Sequence, residues 1–269
     1  MNEALAAKVV TELLRTRKYA HLCADTLLRI ATWSATRHPS LREATKAAKR
    51  KLHQIHGAYL DQLDVRRMEH LVVSLREAAN ATALQETCRA ILSCHASIRE
   101  RLAFVEEPYP ALFALTGVPA SLVDLACGLN PFALPWMGLP SGTRYLACDI
   151  DQRIVNAVNA LFAHTRTPGV AECRDLLVSP PEGDADVALL LKTAPCLEQQ
   201  EKGATLNLLR RLRARHVVLS FPAQSLGGKG KGMRRSYAAT ASRLAEALRA
   251  ETQRLDYPTE TFFVLRPAR

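Results

Sequence analysis

The feature that most constrains this chain is a change of periodicity near residue 104. Before it, apolar residues recur at helical spacing, as in Val9, Val10, Leu13 and Leu14, then Leu27, Leu28 and Ile30. After it, strand-length apolar runs alternate with helical patterns. A segment of the first kind buries its stripes helix against helix. A segment of the second kind closes into a mostly parallel sheet, because parallel neighbours are joined through crossover helices. The sequence therefore predicts a helical domain over 1–103 and a doubly wound α/β domain over 104–269.

Within the helical part, Pro39-Ser40-Leu41-Arg42-Glu43 is a helix start with a capping box between Ser40 and Glu43. The helix that follows carries Leu41, Ala48, Leu52, Ile55 and Tyr59 on one stripe, and Lys46, Lys49, Arg50 and His53 on another face. Further helical patterns run through 63–80 and 83–103. Charge is unevenly spread. The chain holds 36 Lys and Arg against 26 Asp and Glu, a net +10, and residues 1–103 hold 17 of the basic and 10 of the acidic residues. A basic stripe in a basic segment suits a polyanion, most simply nucleic acid. A solvated basic face is the plain alternative.

Several classes are disfavoured. No apolar run approaches the ~18 residues of a membrane helix, and Glu3, Lys8, Glu12 and Arg15 interrupt what a secretory signal keeps apolar. A cytoplasmic chain without membrane contact is expected. Seven Cys without a CxxC pair argue against a disulfide framework, and Cys94-His95 lacks a partner at ligand spacing, so no metal is expected.

After Glu106-Glu107-Pro108-Tyr109-Pro110, which should break the helix, strands are predicted at 121–126, 144–148, 170–173, 185–191 and 216–221. Helices are predicted at 152–162, 199–213 and 237–250, and a closing hairpin through 253–257 and 261–265 adds an antiparallel edge strand. Ligands of such sheets sit beyond the carboxyl ends of the strands. There the first turn reads Asp124-Leu125-Ala126-Cys127-Gly128-Leu129-Asn130-Pro131, with small residues that admit a close ligand but no GxGxxG pyrophosphate cradle. The second strand ends at Asp149, 21 residues beyond Gly128, where a carboxylate can accept both ribose hydroxyls; Asp151 reads as a helix cap. Asp175, after the third strand, is either an acceptor for an adenine amino group or a cap. A Gly turn, a ribose acid and an adenine acid in that order suit S-adenosyl-L-methionine better than NAD. Lys192 ends five apolar residues and either snorkels out or serves the site. The stretch from Gly227 to Arg235 packs four Gly and four basic residues, which reads as an RNA clamp or as a plain surface loop.

Together the run Asp124–Pro131, Cys148-Asp149-Ile150-Asp151, Leu191-Lys192-Thr193 with Pro195-Cys196-Leu197-Glu198, and Ser220-Phe221-Pro222 leading to Ser225-Leu226-Gly227-Gly228 closely resemble the aminoglycoside-resistance 16S ribosomal RNA methyltransferases of the Arm/Rmt type. His95-Ala96-Ser97-Ile98-Arg99-Glu100-Arg101-Leu102 resembles that family's segment ahead of the catalytic domain. The resemblance implies a class I S-adenosylmethionine-dependent methyltransferase with a Rossmann-like sheet and an N-terminal helical domain docking on the assembled 30S subunit. It implies methyl transfer to N7 of a decoding-site guanine in 16S rRNA, and with it aminoglycoside resistance. Carried over, it has Ala126 and Gly128 line the methionine moiety, Asp149 hold the ribose, Asp175 and Leu176 the adenine, and Arg101, or Arg99 as alternate, the cofactor carboxylate. Lys192, Glu198 and Lys229 would act at the target base, and Lys46, Lys49, Arg50, Lys231 and Arg234 on the RNA. Trp136 is either a stacking platform for a flipped base or core. The competing readings are methylation of the nearby adenine at N1, a nicotinamide-dependent oxidoreductase, and a non-catalytic ribosome-binding module.

Overall fold

A computed structural model describes residues 2–57, 63–223 and 232–268. The chain starts with three helices, α1 (Glu3–Leu14), α2 (Ala24–Ala35) and α3 (Leu41–Leu52). They enclose a core of their own in which Val9, Leu13, Leu27, Ile30 and Leu52 are buried. Ser40 opens α3 as expected, its Oγ accepting the Glu43 amide at 3.2 Å. The row that α3 turns inward is Ala44, Ala48 and Leu52, with Leu41 left exposed. Small residues one turn apart let the helix lie close to its neighbours. Tyr59 lies outside the described residues. Lys46 and Arg50 are exposed on the outer face and Lys49 is half-buried.

Helices α4 (Val65–Ser74) and α5 (Ala81–Leu92) follow. Their buried Met68, Ile91 and Leu92 join the core beneath one face of the sheet. The helix expected over 83–103 stops at Leu92; Leu63 and His95 make an isolated bridge, and a single turn, Ala96–Arg99, comes after it. Nor does Pro108 end the helical part. It opens α6 (Pro108–Thr116), since a proline in the first turn forgoes an amide that would have no partner there.

Among the described residues seven strands form one sheet: β1 (Ser121–Leu125), β2 (Arg144–Asp149), β3 (Gly169–Cys173), β4 (Asp184–Leu191), β5 (Arg213–Pro222), β6 (Ala250–Asp256) and β7 (Glu260–Pro267). The order is β3-β2-β1-β4-β5-β7-β6. The first five are parallel, and β7 is antiparallel to both β5 and β6. The antiparallel strand is thus one place in from the edge, not at it. Burial explains the exchange: Thr261 through Leu265 are buried, whereas β6 is polar and largely exposed, which suits an edge. The central strands are apolar on both faces. In β4, Val187 and Leu189 face one core while Ala188 and Leu190 face the other. The first core also takes α7 (Gln152–Thr165); the second takes α8 (Ala194–Gln200), α9 (Ala204–Arg211) and α10 (Met233–Ala247). The expected single helix over 199–213 is therefore two, divided at Gly203, whose φ of 82° lies in the left-handed region that glycine tolerates. Strand order reverses between β1 and β4, which marks the crevice where such sheets bind ligands.

Candidate active site

A cavity of about 300 Å³ opens at that crevice. Ala126 and Gly128 leave β1 in a tight left-handed turn, both with φ of 51°, and the Cys127 amide donates to the Cys148 carbonyl at 2.8 Å. The turn is thereby sewn to the end of β2, where Asp149 stands. Its carboxylate accepts the Gly128 amide on Oδ2 and the Asp151 amide on Oδ1, each at 2.9 Å. Burial raises the pKa of Asp149 despite these two amides. Asp151 is the cap of α7, its Oδ1 accepting the Arg153 amide, and it also meets His56 Nε2 at 3.4 Å. Burial acts to raise its pKa, but His56 and Arg153 carry it well below the usual carboxylate range.

After β3, Asp175 and Leu176 are buried on the cavity wall. Asp175 Oδ1 accepts the Leu177 amide at 2.9 Å, while Oδ2 accepts Thr26 Oγ1 and Arg29 Nε, both at 2.9 Å. Arg29, Ile55 and His56, all from the N-terminal helical unit, line the same cavity.

Across from them, Arg101 is buried on the wall while Arg99 is exposed and donates to the Ser93 carbonyl. The Arg101 guanidinium donates Nε and Nη2 to Glu260 at 3.0 and 2.7 Å, and Nη1 to Asn130 Oδ1 at 2.6 Å. Asn130 also takes the Tyr109 hydroxyl at 2.7 Å and donates to Asp124 Oδ2 at 2.8 Å, which Tyr145 meets at 2.9 Å. Burial pushes the Asp124 carboxyl up to about 7, against bonds from Asn130 and Tyr145 that favour its charge. Burial acts in the same direction on Glu260, but Arg101 and Lys192 outweigh it and its pKa is lowered. Lys192, at a φ of 56°, lines the cavity with Nζ 3.5 Å from both Glu100 and Glu260.

The structure gives other candidates different work. Glu198 accepts the Gly203 amide on Oε2 and the Thr205 amide on Oε1, capping α9 instead of lining the cavity. Arg234 donates to the Tyr257 and Pro258 carbonyls and braces the β6–β7 turn. Trp136 is buried in the core with the Arg89 guanidinium 5.2 Å from its ring centre. Lys229 and Lys231, with Ser225 to Gly228, lie outside the described residues. No group of three or more potential metal ligands comes together, and no helix is long and apolar enough to cross a membrane, among the described residues.

A family model described as ribosomal RNA methyltransferase (FmrO) matches residues 15–263. The chain belongs to that family. It is 33% identical to the 16S rRNA (guanine(1405)-N(7))-methyltransferase of Micromonospora echinospora, over 96% of this chain and 95% of the relative. To the enzyme of the same name from Serratia marcescens it is 36% identical, over 89% of this chain and 87% of the other. Among solved structures, that of RmtF, a 16S rRNA methyltransferase in complex with S-adenosyl-L-homocysteine, superposes with a TM-score of 0.83 at 32% identity, covering 100% of both chains. The 16S rRNA methylase RmtB gives 0.82 at 29%, covering 98% of each.

Within this family member, reasoning from sequence did not reach Glu260, Asn130 and Tyr109, which surround Arg101, or Thr26, Arg29 and His56, which reach the site from the helical unit. One signal was available for Glu260: an acid just ahead of the apolar run Phe262 to Leu265 must be buried with a cation or sit at the strand's mouth.

Proposed function

We propose that this chain transfers a methyl group from S-adenosyl-L-methionine to N7 of a decoding-site guanine of 16S rRNA, the position its relatives' names give as guanine 1405, on the assembled 30S subunit. The outcome for the cell is aminoglycoside resistance, exerted in the cytoplasm. One observation carries the reading: the same cavity is lined by Ala126, Gly128, Asp149 and Asp175 at the strand ends and by Arg29, Ile55 and His56 of the basic helical unit. A nucleoside site and a polyanion-binding surface therefore share a wall.

The residues present fit the cofactor. A cavity of about 300 Å³ is at the small end of the range for such ligands, roughly 300–1,000 Å³. The Ala126–Gly128 turn leaves room for a ligand against the backbone, Asp149 is the acceptor for ribose hydroxyls, Asp175 and the buried Leu176 form the adenine end, and Arg101 supplies a cation for a carboxylate. When bound, S-adenosyl-L-methionine supplies an electrophilic methyl group on a sulfonium. Guanine N7 has a free in-plane lone pair at neutral pH, so the protein needs no general base. Its task is to hold N7 in line with the methyl carbon, an alignment that can be worth roughly 7–11 kcal/mol. Lys192, held at the cavity by Glu100 and Glu260, is the residue placed to meet the incoming nucleotide. Docking falls to Lys46, Lys49 and Arg50, Lys231 and Arg234 are further contacts to the RNA, and Lys229 acts at the base.

The test is incubation of purified 30S subunits, and separately of protein-free 16S rRNA, with methyl-labelled donor. Label in the subunit RNA and little in the free RNA is expected. Absence of label from both sinks the reading, and equal labelling removes the requirement for the assembled particle.

A further inference from the structure

Asp175 is one of the buried groups at the adenine end, yet its geometry is set from outside the sheet domain. A carboxylate offers about four lone-pair positions. Three are filled by the protein: the Leu177 amide on Oδ1 at 2.9 Å, and Thr26 Oγ1 and the Arg29 guanidinium on Oδ2 at 2.9 and 2.8–2.9 Å. One position on Oδ1 is left for a donor in the cavity. Thr26 and Arg29 both lie on α2, and Arg29 Nη2 goes on to Gln200 Oε1 of α8 at 2.8 Å. Helix α2 thus clamps the strand-end acid and the first helix after β4 together.

Further ties hold the helical unit in this pose. The Cys23 amide donates to the Ile150 carbonyl at 2.7 Å, the Gln152 amide to the His21 carbonyl at 2.9 Å, and Lys51 Nζ to the Gln199 carbonyl at 3.2 Å. Every one of these attachments lands within a few residues of the cavity rim at Ile150, Asp175 or Gln200.

We propose that Thr26 and Arg29 are positioning residues of the cofactor site, acting through Asp175, so that occupancy of the adenine end and docking of the basic helical unit are thermodynamically linked. The inference rests on the methyltransferase reading above. Linkage is reciprocal: whatever factor bound cofactor adds to the affinity for the ribosomal subunit, bound subunit adds to the affinity for cofactor. An isolated adenine end with a pre-set Asp175 would show neither effect.

The experiment is calorimetry with S-adenosyl-L-homocysteine on the full chain, with Arg29→Gln, Arg29→Lys, Thr26→Val and, as a control just beyond the end of the same helix, Arg37→Gln. Arg37 donates to the Trp33 carbonyl and the Thr36 hydroxyl at the end of α2 and stacks over the Trp33 ring. Near-ultraviolet circular dichroism establishes that each variant keeps its tertiary packing. Arg29→Gln is expected to weaken binding about tenfold, Thr26→Val several-fold and Arg29→Lys by an intermediate factor, with Arg37→Gln unchanged. In turnover, Arg29→Gln raises KM for the donor and leaves kcat within twofold. Subunit affinity, measured with and without S-adenosyl-L-homocysteine, rises on cofactor binding in the parent and loses that rise in Arg29→Gln. A folded Arg29→Gln variant with parental affinity overturns the proposal, as does a parent whose subunit affinity ignores cofactor. Failure of the parent to bind S-adenosyl-L-homocysteine at all instead refutes the methyltransferase reading, which keeps the two failures distinct.

Discussion

The buried pair of Arg101 and Glu260 offers the sharpest energetic prediction. Both side chains are almost wholly removed from water, at 4% and 0% exposure. Glu260 takes two guanidinium hydrogen bonds, faces Lys192 at 3.5 Å and is met by the Ser220 hydroxyl. Glu260→Gln keeps the shape and removes the charge, leaving the Arg101 cation buried without its counter-ion. Breaking one side of a buried pair costs about 3–5 kcal/mol. For a chain of this size each kcal/mol moves Tm by roughly 2–4 °C, so a fall of roughly 6–20 °C is expected in a differential scanning experiment. The double variant Arg101→Met/Glu260→Leu removes both desolvated charges, and its loss should be smaller than the sum of the singles by several kcal/mol. A Glu260→Gln drop under about 3 °C, or a double variant whose loss equals the sum, would refute the reasoning that the charges depend on each other.

Three further outcomes follow from the site. Asp149→Ala removes the acceptor that ties the Gly128 and Asp151 amides together, and calorimetry should find S-adenosyl-L-methionine affinity lost by at least a hundredfold; retained affinity contradicts the ribose assignment. Glu198→Ala deprives α9 of its cap at Gly203 and Thr205 and should cost about 0.5–2 kcal/mol in denaturant unfolding while kcat stays within twofold; a kcat collapse in the folded variant would restore Glu198 to the chemistry. Asp124, with its folded pKa raised from 3.8 to about 7, binds its proton more tightly in the folded chain than in the unfolded one. Its contribution to stability is therefore full at acid pH and is lost as pH rises from about 4 through about 7. The Tm of the parent minus that of Asp124→Asn should fall across this window, and a difference independent of pH would count against a buried, raised carboxyl.

What was legible in the sequence follows from what each signal reports. The strands at β1, β2, β4 and β5 were readable because a parallel strand buried on both faces shows a short, mostly apolar run, as in Tyr145 to Cys148, Val187 to Leu191 and Val217 to Leu219. The place of Asp149 and Asp175 on the cavity wall was readable because both follow strands at the carboxyl edge of the sheet, where the crevice of such folds opens. Arg101 was chosen over Arg99 on resemblance, and burial separates them: only Arg101 is on the cavity wall. That Glu260 is its partner was not readable, because a contact across 159 residues leaves no trace in local periodicity, even though an acid at the head of an apolar strand stands out. Arg29 and Thr26 were hidden for the same reason, 146 and 149 residues from Asp175 on a helix that looks merely amphipathic. Glu198 misled because a carboxylate after a strand end reads alike whether it faces a ligand or a following helix. The deciding residue was Gly203, which breaks the helix and supplies the amide to be capped. The place of β7 was decided by burial of Glu260 through Leu265, which hairpin periodicity alone does not rank against the exposed β6.

The central claim, that this cavity delivers a methyl group to a guanine ring nitrogen of ribosomal RNA, is tested most directly by locating the modified atom. RNA from treated 30S subunits is digested to nucleosides for mass spectrometry and, in parallel, cleaved after borohydride reduction at 7-methylguanine. The account predicts one new 7-methylguanine, with strand scission at a single decoding-site guanine. A methyl group found on adenine N1, or on no nucleotide, contradicts it.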